Sequence, residues 1–247
     1  MMRSFFDAIR HYNTAVQLIS KLRLGVYFLI PAIISLLVGT GLVFAIIGLG
    51  DNFGAWIGAQ YPFETGAIWF IKAGQWIGYI LVSLLAIILF RYIVMMFLAP
   101  VLSPLSARVE QHYRPSNDAG WSVRQISAEI IRAIRLNFRN LLKELFFTFL
   151  LIILGFIPVI GWIAGFLILI LQSYYSGFQN MDFTLERHFN MRDSIRFVSA
   201  NRGLAIGNGL VFIFMLMIPV LGLMVAPTMA VIAATVGVME NIDDAMV

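Results

Sequence analysis

The sequence predicts an all-α integral membrane protein with two long transmembrane helices, two half-membrane helical hairpins and amphipathic helices on the cytoplasmic side. Three observations carry that expectation. Apolar residues make up 60% of the chain and charged residues 12%, with a mean hydropathy of +0.88, whereas about a quarter of a soluble domain is charged. Four long apolar stretches take up more than half of the 247 residues, leaving no separate soluble catalytic domain. Two of those stretches are interrupted in the same way: LGFIPVIGWIAG at Leu154–Gly165 is echoed by MIPVLGLMVAP at Met217–Pro227. The whole of 1–247 is therefore expected to form one membrane domain.

Residues 3–20 come first. Phe5, Phe6, Ile9, Tyr12, Val16 and Ile19 recur three and four apart among Arg3, Asp7, Arg10 and Gln17, the pattern of an amphipathic helix lying at the membrane surface. This start is too polar to read as a secretory signal. Residues 25–50 then run without a charge until Asp51. At ~1.5 Å per residue they give roughly 39 Å of helix against ~30 Å of hydrocarbon, which makes a first full span.

After a loop rich in Gly, Trp and Tyr, residues 66–100 form a second span interrupted by Lys72 and Arg91. Pro100 and Pro104, four apart, are expected to bend or end that helix. Residues 106–144 are polar and basic. Val123, Ile126, Ile130, Ile134 and Leu141 alternate there with Arg124, Arg132, Arg135, Arg139 and Lys143, and such a basic amphipathic face favours the anionic cytoplasmic leaflet.

Charge and length decide how 145–171 is read. A single crossing would put 106–144 and 172–203 on opposite sides of the membrane, although both are basic, against the positive-inside bias. If the run turns back at Pro158–Gly161, both flanks stay cytoplasmic with Arg3, Arg10, Lys21 and Arg23. Only Lys72 and Arg91 of 17 basic residues then lie elsewhere, so 15 share one side. The apolar arms, Leu145–Ile157 and Trp162–Leu171, reach roughly 20 and 15 Å, short of ~30 Å. The run 204–239, turning at Pro219 and Gly222, is too long for one span and barely enough for two. Turns at bilayer depth must be covered by protein or water, so packing within a homo-oligomer is expected.

Several residues are candidates for chemistry. Arg23, Leu24 and Gly25 sit at a helix start, where free backbone N–H groups, the helix dipole and a guanidinium favour an anion; the plainer reading is a headgroup anchor. Arg91, within a span, is a pore or partner-facing candidate. Pro100 and Ser103 mark a helix break or pore mouth, and Glu110 and Asp182 are acidic candidates beside them. Asp182 and Glu186 are expected to pair with Arg187 or Arg192. Pro158, Gly161, Pro219 and Gly222 are turn residues, or alternatively line a pore as discontinuous helices do.

Other chemistries find no support in the chain. Cysteine is absent, and His11, His112 and His188 have no ligand spacing, so no metal is expected. Neither a nucleophile–base constellation nor a Gly-rich phosphate loop is present, so no enzyme and no cofactor are expected. The net charge of +4 reports topology rather than nucleic-acid binding.

The paired Ile-Pro-Val-x-Gly hairpins, the Ala-Pro-Val-Leu-Ser-Pro element at Ala99, and Ala226-Pro227 followed by Ala234-Thr235 resemble the CysZ family of bacterial sulfate-uptake membrane proteins. The eukaryotic etoposide-induced-protein-like proteins share that superfamily. The likeness runs through nearly the whole chain in order, and it extends to Asp182 after the Tyr-rich YYSGFQNMDF and to Glu110 after the Ser-Pro element. It implies an inner-membrane anion channel or permease that admits sulfate or a similar oxyanion for cysteine synthesis, with both termini cytoplasmic. The family's sulfate turn resembles Gly-x-Arg-Arg; here Lys21-Leu22-Arg23-Leu24-Gly25-Val26 stands in that place, with Gly25 and Val26 where the arginine pair falls. The alternative, favoured by that departure, is a non-conducting, membrane-organising or lipid-interacting protein of the same fold.

Overall fold

The computed structural model describes residues 2–60, 67–114, 123–155, 157, 160–218 and 221–242. Among these residues the elements are helices and no strand occurs. In order they are α1 (Met2–Lys21), a 3₁₀ turn (Leu24–Phe28), α2 (Leu29–Gln60), α3 (Ala67–Tyr113), α4 (Val123–Gly155), α5 (Ile160–Leu185), α6 (Met191–Ala200), α7 (Arg202–Leu216) and α8 (Leu221–Asn241). The chain divides into two compact units, residues 34–94 on the one hand and residues 1–33 with 95–247 on the other.

The 34–94 unit is an antiparallel helical hairpin. A Cβ on Gly50 would collide with the Tyr79 ring, and one on Gly78 would meet Phe53, so the α2 and α3 backbones approach through glycine. Tyr79 donates its hydroxyl to Asp51 Oδ1 at 2.5 Å across the same pair. Leu36, Leu37, Phe44 and Ile47 on α2 and Ile77, Ile80 and Leu81 on α3 are exposed. Helices apolar on their outer faces, with small residues at the seam, are what a membrane-embedded pair requires.

The other unit is a bundle built around α5. A Cβ at Gly177 would overlap the Ala205 carbonyl, and one at Gly209 the Ser173 carbonyl, so α5 and α7 pack backbone to backbone. Asn208 ties four helices together at this crossing. Its side-chain amide donates to the Ala230 carbonyl of α8 at 3.0 Å, its Oδ1 accepts from Asn180 of α5 at 2.8 Å, and its carbonyl accepts from Tyr12 of α1 at 2.8 Å. One face of α1 (Ala8, His11, Tyr12, Ala15 and Leu18) is buried, while Phe6 and Val16 of the expected apolar stripe are exposed. A helix that lies between a bundle and a membrane surface needs two such faces.

Two sequence expectations are corrected. First, α3 runs unbroken through Pro100 and Pro104. A proline removes one backbone bond and costs ~3 kcal/mol where nothing else holds the helix. Here Leu98, Leu102, Leu105 and Val109 are fully buried in one stripe while Pro100 faces outward, so packing on the opposite face holds the turns that the prolines weaken.

Second, the hairpin arms are longer than the apolar runs from which they were judged. The basic segment and the first apolar arm fuse into α4, and α5 continues through its polar half to Leu185, 26 residues in all. By length and composition Gly161–Leu185 is long enough to cross a membrane, as are Leu24–Ile57, Ile68–Tyr113 and Met224–Asn241. The arms nevertheless lie antiparallel. Gly155 faces Ala164 near the turn, Asn137 meets Gln179 further down, and Arg132 meets Asp182 at the far end. Pro158 and Pro219 lie outside the described residues, and Gly161 and Gly222 each begin the returning arm, where a Cβ would press on the Gly155 and Met215 carbonyls.

Candidate functional site

Within the bundle, the lower halves of α3 and α5 and the loop after α5 assemble a buried polar network. On α3, Ser103, Ser106 and Glu110 follow at three- and four-residue spacing and so share one face. That face meets Thr184, Glu186, Arg187 and His188, where α5 ends in the turn leading to Asn190. The Asn190 side chain then caps α6 by accepting from the Arg192 and Asp193 amides. The cap fixes where α5 stops and α6 begins, and hence the direction in which Arg187 and His188 point.

Arg187 is the centre of this network. Its Nε donates to Glu110 Oε2 at 2.7 Å, its Nη2 to Ser106 Oγ at 2.8 Å, and its Nη1 to the Phe183 carbonyl at 2.5 Å. His188 Nε2 lies 2.6 Å from Glu110 Oε1. Ser106 Oγ is also 2.8 Å from Thr184 Oγ1 and 3.0 Å from Thr235 Oγ1 of α8, and Thr184 donates to Thr235 at 2.9 Å. Three hydroxyls and a guanidinium thus converge in the interior, with one carboxylate shared between Arg187 and His188. A second pair lies nearby, where Arg132 of α4 grips Asp182 through two bonds of 3.1 and 3.0 Å and donates to Ser194 of α6 at 2.7 Å. Ser103 donates to Glu186 at 2.8 Å.

The structure therefore gathers Ser103, Glu110 and Asp182, but with partners other than those expected. Asp182 pairs with Arg132, 50 residues away in sequence, and Arg187, in the turn after α5, pairs with Glu110 of α3. Same-helix spacing favoured the local partners, and only the tertiary fold brings α4 and α3 to α5. Arg132, Arg187 and His188, with the hydroxyls of Ser106, Thr184 and Thr235, went unselected. Their one signal was buried-type polarity at helical spacing inside apolar sequence.

The remaining candidates lie apart from the network. Arg23 has a left-handed backbone (φ 52°) and is exposed; Leu24 is fully buried, and Gly25 is open enough to accept a Cβ without contact. The turn is pinned where Thr228 donates to the Tyr27 carbonyl at 2.8 Å. Beside it Lys21 Nζ lies 3.2 Å from His112 Nε2. Arg91 belongs to the 34–94 unit, where it is buried with its guanidinium 4.9 Å from the Tyr92 ring. Pro100 lines a cleft with Ser103 and Asp182. Among the described residues no His, Asp or Glu cluster offers a metal site.

Comparison with known proteins places the chain. It is 24% identical over 229 residues to a protein of Pseudomonas fluorescens (strain Pf0-1) named "Sulfate transporter CysZ", covering 92% of this chain and 90% of that one. The family described as Sulfate transporter CysZ/Etoposide-induced protein 2.4 matches residues 12–227, and with its Pro-Gly hairpins and helical bundle the chain belongs to that family.

Proposed function

We propose that this protein carries sulfate or a similar oxyanion across the bacterial inner membrane into the cytoplasm, as a homo-oligomer with both termini cytoplasmic. The observation that carries the reading is the buried set of donors around Arg187. An oxyanion is recognised by N–H and O–H groups that converge on it. Arg187, Ser106, Thr184 and Thr235 form such a set, and the Glu110 carboxylate occupies the place on Arg187 and His188 that an arriving oxyanion would take. Glu110 is then an internal stand-in for the substrate, released from Arg187 as the anion passes. The turn at Arg23, Leu24 and Gly25, whose Arg23 is exposed, receives the anion first. The similarity to the protein named as a sulfate transporter supplies the substrate class.

Energetics favour a channel over a pump. Moving a dianion into a negative interior costs ~2.3 kcal/mol per charge per 100 mV, about 4.6 kcal/mol in all, and consumption of sulfate inside offsets that cost by keeping its internal concentration low. The test is radiolabelled sulfate flux into liposomes that hold the purified oligomer. Flux above empty vesicles, reduced about ten-fold or more by Arg187→Ala, supports the reading. Absence of flux from folded, oligomeric protein refutes it and leaves the membrane-organising alternative.

A further inference from the structure

A cleft of about 200 Å³ opens between α3, α4 and α5 on the outside of the ionic network. Its walls are largely apolar, from Met95, Ala99, Pro100, Ile134 and Phe183, and its polar lining consists of Ser103, Asn137, Gln179, Asp182 and Glu186. None of these described lining residues is basic, and the Arg132 guanidinium beside Asp182 is already engaged by that carboxylate. Gln179 is only 3% exposed, its amide nitrogen donates to Asn137 Oδ1 at 3.2 Å, and its carbonyl oxygen has no hydrogen-bond partner among the described residues. A buried acceptor left without a donor is destabilising. A ligand that brings a donor removes that cost.

We propose that this cleft binds the primary ammonium head of an ethanolamine lipid. The polar lining is dominated by acceptors, the Gln179 carbonyl of α5 and the Glu186 carboxylate just beyond its end, with Asp182 between them already paired to Arg132, and this selects a cation bearing N–H groups. A bare metal ion would want oxygen ligands all round, whereas this site is walled mainly by carbon. A quaternary choline head matches the charge but has no N–H to give Gln179. An anionic lipid head is repelled by Glu186, while Asp182 is charge-balanced by Arg132. Met96 and Phe97, 45% and 62% exposed beside the mouth, offer an apolar track along which an acyl chain can lie outside the helix. The volume exceeds the ~150 Å³ engineered cavity that holds benzene, enough for a headgroup but not for a whole lipid.

The experiment is thermal melting of the intact detergent-solubilised protein, titrated with short-chain phosphatidylethanolamine, phosphatidylcholine or phosphatidylglycerol, with free ethylammonium chloride as a soluble arm. Phosphatidylethanolamine is expected to raise the melting temperature with an apparent affinity about ten-fold or more above that of the choline lipid, the worth of one charge-assisted hydrogen bond. Gln179→Leu is expected to abolish that preference, and Ala99→Phe, which fills the cleft from α3, provides an independent variant should the first fail to fold. Equal shifts from ethanolamine and choline lipids overturn the proposal. So does a preference unchanged in both variants, or a full shift from ethylammonium alone. Sulfate flux measured on the same preparations is a separate readout, so failure of the lipid site and failure of the transport reading are distinguishable.

Discussion

Single residues in this bundle matter through what they leave behind when removed. Asn208 satisfies three neighbours on three other helices, and in a membrane-type interior such bonds are each worth roughly 0.6–2 kcal/mol. Asn208→Leu keeps the volume but strands the Asn180 amide and the Ala230 carbonyl. It is expected to lower stability by about 1–3 kcal/mol, read as a lower melting temperature in detergent, whereas Asn201→Ala at the α6–α7 bend should have a smaller effect. Tyr12 gives a pH-dependent counterpart. Burial pushes its phenol well above the ordinary value of 10.0, and the neutral form donates to the Asn208 carbonyl. A raised pKa in the folded state means that this stabilisation is present below pH ~10 and is lost as pH climbs past it. Alkaline melting should therefore steepen above pH ~10 in the wild type and less so in Tyr12→Phe; identical alkaline limbs would show that Tyr12 does not contribute.

At the scale of elements, the hairpins show how far local sequence reaches. The Pro-Gly punctuation at Pro158–Gly161 and Pro219–Gly222 coincides with the breaks between α4 and α5 and between α7 and α8. Apolar exposure is concentrated around the first turn: Phe146, Phe149, Leu150, Ile153, Trp162, Ile163 and Phe166 are exposed on either side of it, while α5 is buried from Tyr175 to Leu185. From Leu145 to the turn is about eleven residues, roughly 16 Å of helix and about one leaflet. The fusion of α4 and the continuity of α3 through two prolines were not legible. Both depend on burial of a stripe by elements distant in sequence, and propensity rules see neither. The network partners were hidden for the same reason, since Arg132 and Asp182 carry no local sign of one another. Half-membrane insertion predicts a labelling pattern. Cysteines at Arg135 and Arg196, both exposed, should react with an impermeant maleimide from the same side, and a cysteine at Trp162, 89% exposed at the apex, should resist it from either side. Labelling of positions 135 and 196 from opposite faces would mean that the hairpin crosses.

For the whole molecule, charge sets the thermodynamics of the proposed transport. The basic residues are concentrated on one expected side, 15 of 17 with only Lys72 and Arg91 elsewhere. That bias orients the chain but gives a crossing dianion no energy, because the fixed charges stay where they are. Without a co-transported cation, each sulfate moves two charges through the full potential, about 4.6 kcal/mol at 100 mV, which corresponds to a roughly 2000-fold shift in the equilibrium distribution at ~1.4 kcal/mol per decade. Sulfate accumulation in liposomes should therefore follow an imposed potassium-diffusion potential. Made positive inside by 60 mV, the vesicles should reach about a hundred-fold excess of sulfate over the bath; made equally negative, they should exclude it by the same factor. Accumulation independent of voltage would require charge compensation by a second ion bound on the same chain, and would replace the channel with a coupled carrier.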